Sequence, residues 1–545
     1  MTDAPDPGEA EPQPHGRRFS AILRFALIGI LAVALAAILI RVLNPLPSLQ
    51  GRSVSAAATD THDTPLGLAL ASRAAAHPGL SGIHPLPDGK DAFAARVALA
   101  RAATRTLDLQ YYIWNRDLAG TLLFEELRAA GDRGVRVRLL LDDNVTAGLD
   151  PILAALNTHP NIEVRLFNPF VLRSPRVLGY VTDFRRLNRR MHNKSFTADN
   201  QATIVGGRNI GDEYMGAGDG LAFADLDVLA VGPAARAVSA QFDRYWASRS
   251  SYPAERILAA AGQGGLAPLA DDAARIARSA AGRRYVAAIR ALPLTAQIEA
   301  RQLPFEWNAT RLVSDDPAKG LGLAHAEDLL FPKLIEAMGR PRASLALVSG
   351  YFVPTDAGVD AFKAMAEGGA KVRILTNALE ATDVPVVHAG YAPWRKAMLA
   401  AGIELYEMAR AGSAGSERAG RITGKGSGAG TVIGGSATAL HAKTFAIDGQ
   451  RAFVGSFNFD PRSAMLNTEL GLVIESPKLS QAIEQAFERT IPASAYEVKL
   501  DRNGELSWFE QSGGQTIRHD TEPGTTALQR TAIGFLSLLP IDWLL

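Results

Sequence analysis

The stretches HNKSFTAD (residues 192–199) and HAKTFAID (residues 441–448) share one pattern: a histidine, a lysine two positions on, and an aspartate five positions after the lysine. Each is followed by a glycine turn that carries an asparagine, GGRN at 206–209 and GSFN at 455–458. A lone match would be weak, because a strand histidine is more often structural and a lysine more often solvated. Two matches at equivalent points predict that one unit occurs twice in the chain.

The segments around both motifs also repeat in type and order. In the first half, TLDLQYYIW (106–114) predicts a strand, and GTLLFEELRAAGDRG (120–134) predicts an amphipathic helix capped by Asp117. In the second half, SLALVSGYFV (344–353) and GVDAFKAMAEGG (358–369) repeat this order. Alternating strands and helices predict an α/β fold of two pseudo-symmetric repeats, each a mixed or parallel sheet flanked by helices. Packing about a pseudo-twofold axis would bring both motifs to one seam.

The chain divides into six predicted segments. A helical bridge rich in alanine and arginine joins the repeats, and a Gly/Ser/Ala-rich stretch at 411–439 predicts a mobile loop at the mouth of the site. The segments are a disordered tail (1–24), a membrane anchor or signal (25–43), a linker (44–74), the first repeat (75–285), the second repeat (286–490), and a C-terminal hairpin with an apolar segment (491–545).

Composition excludes several classes of site. The 545 residues include 47% hydrophobic residues, enough to fill sizeable cores. Lys+Arg 57 against Asp+Glu 56 leaves a net charge of +1, so the chain lacks the strong overall positive charge typical of a nucleic-acid-binding protein. The absence of cysteine excludes disulfides, thiolate metal sites and a cysteine nucleophile.

The N-terminal segment predicts export. Sixteen uncharged apolar residues run from Phe25 to Ile40, a helix of about 24 Å, slightly shorter than a bilayer core. A retained anchor is favoured over a cleaved signal peptide, because no small-residue cleavage site follows promptly. Both interpretations stay open. The arginines that precede the segment favour an N-terminus inside and the remainder across the membrane.

The repeated residues suit chemistry on a phosphodiester. On a strand, positions i and i+2 share a face, so each motif histidine points the same way as its lysine. Lysine and amide groups can bind the non-bridging oxygens, while one imidazole attacks phosphorus and the other moves the proton. No carboxylate cluster or HExxH pattern suggests a metal, and we expect no cofactor. The candidate catalytic and phosphate-binding residues are His192, Lys194, His441, Lys443, Asn209 and Asn458.

Four acidic residues complete the candidate set. An attacking imidazole needs a partner on its second nitrogen, and Asp225 and Glu469 occupy matching places before the last strand of each unit. Asp199 and Asp448 belong to the motifs and so to the candidate catalytic set. Their distance from the lysine favours a structural turn or salt-bridge role over direct catalysis.

The duplicated pattern, with GGRN and GSFN, resembles the phospholipase D superfamily over about residues 79–490. YYIWNRDLAG, LNRRMHNKSFTAD and FADLDVLAVGP resemble its bacterial cardiolipin synthase C-like branch. The resemblance implies a phosphohistidine intermediate, with His192 as nucleophile and His441 as acid/base, although near-symmetry leaves that order open. It also implies a membrane-bound phosphatidyltransferase that makes cardiolipin from phosphatidylglycerol, with phosphatidylglycerol or phosphatidylethanolamine as donor.

Two other activities of the superfamily remain open: a phospholipase D that releases phosphatidic acid, and an exported phosphodiesterase or nuclease. The anchor favours lipid, and we expect no nucleic-acid partner. The apolar TAIGFLSLLPIDWLL (531–545), with Trp543, suits either a membrane interface or core packing. Residues 173–190 hold six arginines and one aspartate, which suits an anionic headgroup or plain solvation. We expect the catalytic region on the periplasmic face of the inner membrane; the oligomeric state stays open.

Overall fold

The computed structural model describes residues 15–218, 222–410 and 439–539. The start of the predicted tail, nearly all of the Gly/Ser/Ala-rich stretch before His441, and Trp543 lie outside the described residues.

The first repeat is built on a nine-stranded mixed sheet. Its strands are β1 (Ser81–Leu86), β2 (Thr106–Tyr111), β3 (Arg136–Asp142), β4 (Ile162–Phe167), β5 (Ser195–Ala198), β6 (Ala202–Gly206), β8 (Asp227–Val231), β9 (Ser251–Pro253) and β10 (Glu306–Asn308), with the short β7 (Phe223–Ala224) outside it. They lie in the order β10-β1-β8-β6-β5-β2-β3-β4-β9. Strands β2, β3 and β4 are parallel, and the other pairs are antiparallel.

The second repeat follows the same order in a ten-stranded sheet. Its strands are β11 (Thr310–Ser314), β12 (Ser344–Ser349), β13 (Lys371–Asn377), β14 (Glu404–Met408), β16 (Lys443–Ile447), β17 (Arg451–Gly455), β18 (Leu470–Ile474), β19 (Ala495–Leu500), β20 (Leu506–Ser512) and β21 (Gln515–His519), with β15 (Ala439–Leu440) outside it. The order β11-β18-β17-β16-β12-β13-β14-β19 matches β1-β8-β6-β5-β2-β3-β4-β9 of the first sheet; β20 and β21 extend one edge of the second sheet, and β10 extends the first. The prediction of two pseudo-symmetric α/β repeats is confirmed.

Helices cover the sheets. They are α1 (His15–Leu43), α2 (Pro65–Ala75), α3 (Gly89–Ala102), α4 (Leu118–Asp132), α5 (Asp150–Leu156), α6 (Val177–Leu187), α7 (Asp212–Met215), α8 (Pro233–Trp246), α9 (Ala267–Arg278), α10 (Ala280–Arg290), α11 (Pro293–Glu299), α12 (Leu330–Met338), α13 (Thr355–Glu367), α14 (Pro385–Tyr391), α15 (Arg395–Ala400), α16 (Pro461–Met465), α17 (Pro477–Arg489) and α18 (Ala527–Leu536). The Asp117 side chain accepts the Gly120 N–H at 2.9 Å and so caps α4 as expected.

The two repeats share an apolar seam. Val205 and Val228 of the first repeat belong to the same buried cluster as Val454 and Leu472 of the second. The short strands β7 and β15 also pair in parallel, which ties the two halves together beside the motifs. The central strands of both sheets are buried on both faces, as parallel strands in α/β folds are. The motif strands β5 and β16 therefore lie close to the seam.

The sheets divide the chain differently from the predicted segments. Strand β10 pairs with β1, and β11 pairs with β18, so the chain leaves the first sheet at Ala309 rather than at 285. The predicted linker is not a loose tether, because Arg52 donates to the Ser248 and Ser251 carbonyls of the first repeat at 2.7 and 2.9 Å. Strand β19 pairs with β14, so the second sheet continues beyond residue 490.

Helix α1 contains a 21-residue stretch, Leu23–Leu43, that is long and apolar enough to cross a membrane. None of this stretch is buried inside the protein. At its C-terminal end, Arg41 forms an ion pair with Asp183 of α6 at 3.0 Å. The helix thus enters the folded region beside the segment that leads to the first motif.

Candidate active site

Both motif histidines are fixed to the opposite repeat. The His192 N–H donates to the Thr468 carbonyl at 2.9 Å, and the His441 N–H donates to the Ala224 carbonyl at 2.8 Å. Both side chains are almost fully buried. The backbone contacts set the two imidazoles against one shared seam, as the internal repeat predicts.

The carboxylates are exchanged between the repeats. His192 Nδ1 lies 2.9 Å from Glu469 Oε2, and His441 Nδ1 lies 2.6 Å from Asp225 Oδ2. A carboxylate only accepts hydrogen bonds, so Nδ1 carries the proton in each pair and Nε2 keeps its lone pair. Burial lowers the pKa of His192 well below its usual range, and it also lowers that of His441. Both imidazoles are therefore neutral at rest and present Nε2.

The two pairs differ in what holds the carboxylate. Glu469 accepts hydroxyl hydrogen bonds from Ser456 at 2.5 Å and Ser463 at 2.9 Å, and burial raises its pKa to about 7. Asp225 Oδ1 instead accepts the backbone N–H of Leu226 at 2.8 Å. Burial would raise the pKa of Asp225, but its interactions with His441, Lys443 and Arg208 together outweigh burial and lower the pKa.

The motif lysines lie beside their own histidines. Lys194 Nζ donates to the His192 carbonyl at 2.6 Å, and Lys443 Nζ donates to the His441 carbonyl. Burial lowers the pKa of Lys194 well below its usual range and that of Lys443 to about 8. The site thus holds buried ammonium groups whose charge an incoming anion would stabilise.

The two asparagines follow β6 and β17, the strands that come directly after the motif strands. Asn209 is fully buried, and its Oδ1 accepts the Ile113 N–H at 3.1 Å. Asn458 is buried at the matching position after β17. Fixing Oδ1 on the backbone leaves the Asn209 amide to act as a donor, which suits a phosphate oxygen.

The motif aspartates bind backbone rather than imidazole. Asp199 Oδ1 accepts the N–H groups of Arg105 at 2.8 Å and Thr106 at 2.9 Å. Asp448 Oδ1 accepts those of Ala343 at 2.7 Å and Ser344 at 2.9 Å. Each carboxylate therefore holds the start of the strand next to its motif, and within the described residues neither hydrogen-bonds a motif histidine. These contacts support the turn role and not a catalytic one.

Three tyrosines at the site escaped the sequence reasoning. The ring centroids of Tyr112 and His192 are 5.1 Å apart, and those of Tyr214 and His441 are 5.2 Å apart. The Tyr351 hydroxyl donates to Asp383 Oδ2 at 2.8 Å, and Lys443 Nζ lies 5.8 Å from the centre of its ring. Tyr112 directly follows β2, and Tyr351 lies two residues after the end of β12; that placement was the signal available in the sequence. The rings of Tyr112 and Tyr214 contact the two imidazoles, and the Tyr351 ring lies near Lys443.

Most of the arginines before His192 are engaged in ion pairs. Arg173 and Arg176 bind Asp150, and Arg190 binds Asp142 at 2.7 Å. Arg186 binds Asp183 at 2.6 Å. The stretch is therefore largely neutralised, which leaves less positive charge for an anionic headgroup than its sequence indicates. The described residues contain no group of three or more His, Asp or Glu side chains that could hold a metal ion.

Known proteins match the chain over most of its length. A family model described as cardiolipin synthase, PLD-like domain, matches residues 97–246 and 334–491. Cardiolipin synthase C of Escherichia coli (strain K12) is 49% identical over 469 residues, which cover 86% of this chain and 97% of that protein. A cardiolipin synthase of Staphylococcus aureus (strain Mu50) is 24% identical, covering 78% of this chain and 70% of that protein.

One solved structure supports the fold. Phosphatidylserine synthase from Haemophilus influenzae Rd KW20 aligns with a TM-score of 0.53 at 13% identity, covering 87% of this chain and 99% of its own. Each motif histidine pairs with a carboxylate of the other repeat, and the family model matches both repeats. The chain therefore belongs to the phospholipase D-like cardiolipin synthase family.

Proposed function

We propose that the protein is a membrane-bound phosphatidyltransferase that synthesises cardiolipin through a phosphohistidine intermediate. The observation that carries the proposal is the pair of buried histidines, each with Nδ1 on a carboxylate of the other repeat and Nε2 unprotonated. The protein is 49% identical to a cardiolipin synthase C, which supports phospholipids as the substrates of this chemistry.

In the first step, His192 Nε2 attacks the phosphorus of the donor phospholipid and the bond to the headgroup oxygen breaks. His441 delivers a proton to that leaving oxygen. Burial and the charge of Lys443 lower the pKa of His441; the negative phosphate offsets the lysine charge, so bound substrate favours the protonated imidazole. Lys194, Lys443 and the two asparagines stabilise the charge that grows on the non-bridging oxygens.

In the second step, the headgroup hydroxyl of phosphatidylglycerol replaces the first headgroup. His441, now neutral, takes the hydroxyl proton as the oxygen attacks phosphorus, and the bond to His192 Nε2 breaks. The products are cardiolipin and free headgroup. Glu469 stabilises the phosphorylated imidazole ring through Nδ1, and Asp225 does the same for the imidazolium form of His441. The assignment of His192 as nucleophile rests on family resemblance.

Helix α1 supports a placement for the enzyme. The family and this apolar helix support a bacterial inner-membrane protein. The arginines before the helix favour a cytoplasmic N-terminus, with both repeats in the periplasm. Phosphatidylglycerol is the acceptor, and phosphatidylglycerol or phosphatidylethanolamine is the donor.

A lipid product analysis tests the proposal. The full-length protein is given phosphatidylglycerol alone, and then phosphatidylglycerol with phosphatidylethanolamine, beside His192→Ala and His441→Ala. We expect cardiolipin from the native protein and none from either variant. Release of ethanolamine in the mixture would identify phosphatidylethanolamine as donor, and release of glycerol alone would identify phosphatidylglycerol. Phosphatidic acid as sole product would refute the transferase.

The intermediate has its own test. Phosphohistidine is labile to acid and stable to base, so a radiolabelled phosphatidyl group trapped on the protein should be released by acid alone. With a donor whose leaving group needs no proton, we expect His441→Ala, which retains the proposed nucleophile, to hold label and His192→Ala to hold none. The reverse pattern would exchange the roles of the two histidines.

A further inference from the structure

A large apolar groove lies on the second repeat, away from the histidine pair. Its volume is about 780 Å³, within the range of pockets that hold small molecules. Helix α12 contributes Phe331, Leu334 and Ile335 to one wall, and α13 contributes Ala357, Ala361 and Met365 to the other. The floor is formed by side chains of β12 and β16.

The first repeat shows that the fold does not require this groove. There the equivalent helices, α3 and α4, pack against each other and are covered by the bridging helices α9, α10 and α11. Leu269, Tyr285 and Leu294 from that bridge are buried in the core of the first repeat. In the second repeat, no described segment covers α12 and α13 in this way. An exposed apolar surface of this size indicates a binding site.

One end of the groove is built by the chain that leaves the active site. The wall includes Phe459 and Asp460, which directly follow Asn458, and then helix α16. Asp460 accepts the Ser463 N–H at 2.6 Å, and the Ser463 hydroxyl donates to Glu469 at 2.9 Å. Glu469 in turn holds His192. Three hydrogen bonds, Asp460–Ser463, Ser463–Glu469 and Glu469–His192, therefore link the groove to the proposed nucleophile.

The same end lies beside the membrane-facing part of the protein. Met465, which lines the groove, is 61% exposed, and its carbonyl accepts from Arg189 at 3.1 Å, just after α6. Helix α6 exposes Val177, Val181 and Phe184, and it is tied to the membrane helix by Arg41. Exposed apolar side chains of α6 thus lie between α1 and the end of the groove at Met465.

We infer that this groove binds one acyl chain of the phospholipid whose phosphate lies at the histidine pair. The inference rests on the proposed function, which supplies a substrate with such chains. A polypeptide would bring backbone groups that need hydrogen-bond partners, and the groove offers few: its polar side chains, Arg340, Thr355 and Asp460, come from loops or helix ends. A hydrocarbon chain needs no such partners. Small side chains on α13, notably Ala357 and Ala361, leave the room for it.

Ala361→Trp tests the groove. Ala361 is exposed and lines it, so the indole fills the space without displacing the core. Asp360→Trp, one residue earlier on the same helix but outside the groove, is the matched control. We expect Ala361→Trp to lower kcat/KM by at least about tenfold on dioleoyl phosphatidylglycerol, since displacing two methylene groups accounts for that much. With dihexanoyl phosphatidylglycerol the two variants should differ by less than about twofold, because chains this short gain little apolar burial there.

A cross-linking measurement separates this inference from the proposed function. Phosphatidylglycerol with a diazirine near the end of one acyl chain is photolysed with His192→Ala protein, which binds without turnover. Label on peptides of α12 and α13, lost in His192→Ala/Ala361→Trp, supports the groove. Label confined to α1 and α6, or an equal loss of activity on long and short substrates, overturns it. Native protein that makes no cardiolipin from either lipid would refute the proposed function, whatever the labelling pattern.

Discussion

Replacing Asp225 by asparagine should damage the enzyme far more than replacing Glu469 by glutamine, although both changes remove one charge beside a histidine. In the native site, Asp225 Oδ1 accepts the Leu226 N–H at 2.8 Å while Oδ2 faces His441 Nδ1 at 2.6 Å. The backbone donor requires an oxygen, so the new amide must turn its NH2 group toward Nδ1. A donor at that place moves the imidazole proton to Nε2, which is the atom that must accept protons from the substrate.

Glu469 has more tolerant partners. Its oxygens accept from Ser456 and Ser463, whose hydroxyls rotate and can accept as well as donate. His192 Nδ1 lies 3.1 Å from one oxygen and 2.9 Å from the other, so glutamine can keep an oxygen toward the ring. Only the charge is lost. A charge-assisted hydrogen bond contributes about 1.5–3 kcal/mol, so the expected loss in kcat is about 10- to 150-fold.

For Asp225→Asn, the lost charge and the inverted tautomer combine. The same exchange in a Ser-His-Asp triad lowers kcat by about 10⁴-fold, and we expect a loss close to that. The assay is initial-rate cardiolipin formation at pH 7, with thermal unfolding to verify that both variants are folded. Asp225→Asn/His441→Ala should lose no more than His441→Ala alone. If Glu469→Gln proved the more damaging change, the reasoning from the Leu226 contact would be refuted.

Three further outcomes follow from the site. Burial lowers the pKa of Lys443 to about 8, so kcat/KM should fall as the pH rises through 8. Arginine stays charged at this pH, so in Lys443→Arg the alkaline fall of the pH profile should move to higher pH by more than about one unit. In Gly207→Ala the new Cβ would lie 2.2 Å from Asp225 Oδ1, so kcat should drop at least about tenfold. Ser456→Ala, at the matching position of the second repeat, should lower kcat by less than Glu469→Gln does. Asp199→Ala leaves the backbone N–H groups of Thr104, Arg105 and Thr106 without this acceptor, so denaturant unfolding should show a loss of about 1–3 kcal/mol with KM unchanged.

Local patterns were enough to predict the two repeats, and they named the residues of the candidate site. Alternating strand and helix signals do not depend on distant residues, so the order of elements around 106–134 and 344–369 could be read directly. The boundary at Ala309 could not, because β10 has only three residues and no periodicity. The ion pairs of residues 173–190 could not be predicted either, because the carboxylates that bind Arg173 and Arg190 belong to Asp143 and Asp142, at the end of β3. Tertiary contacts decide such features.

The exchange of carboxylates predicts that neither half of the chain would suffice by itself. His192 depends on Glu469 to fix its proton on Nδ1, and His441 depends on Asp225 in the same way. A single repeat would keep its histidine and lysine but lose the partner that sets the tautomer, and its buried carboxylate would face no imidazole. An unpaired buried charge is costly, so separation would penalise both stability and chemistry. The duplication therefore makes correct packing of the two repeats a condition for each histidine to be reactive.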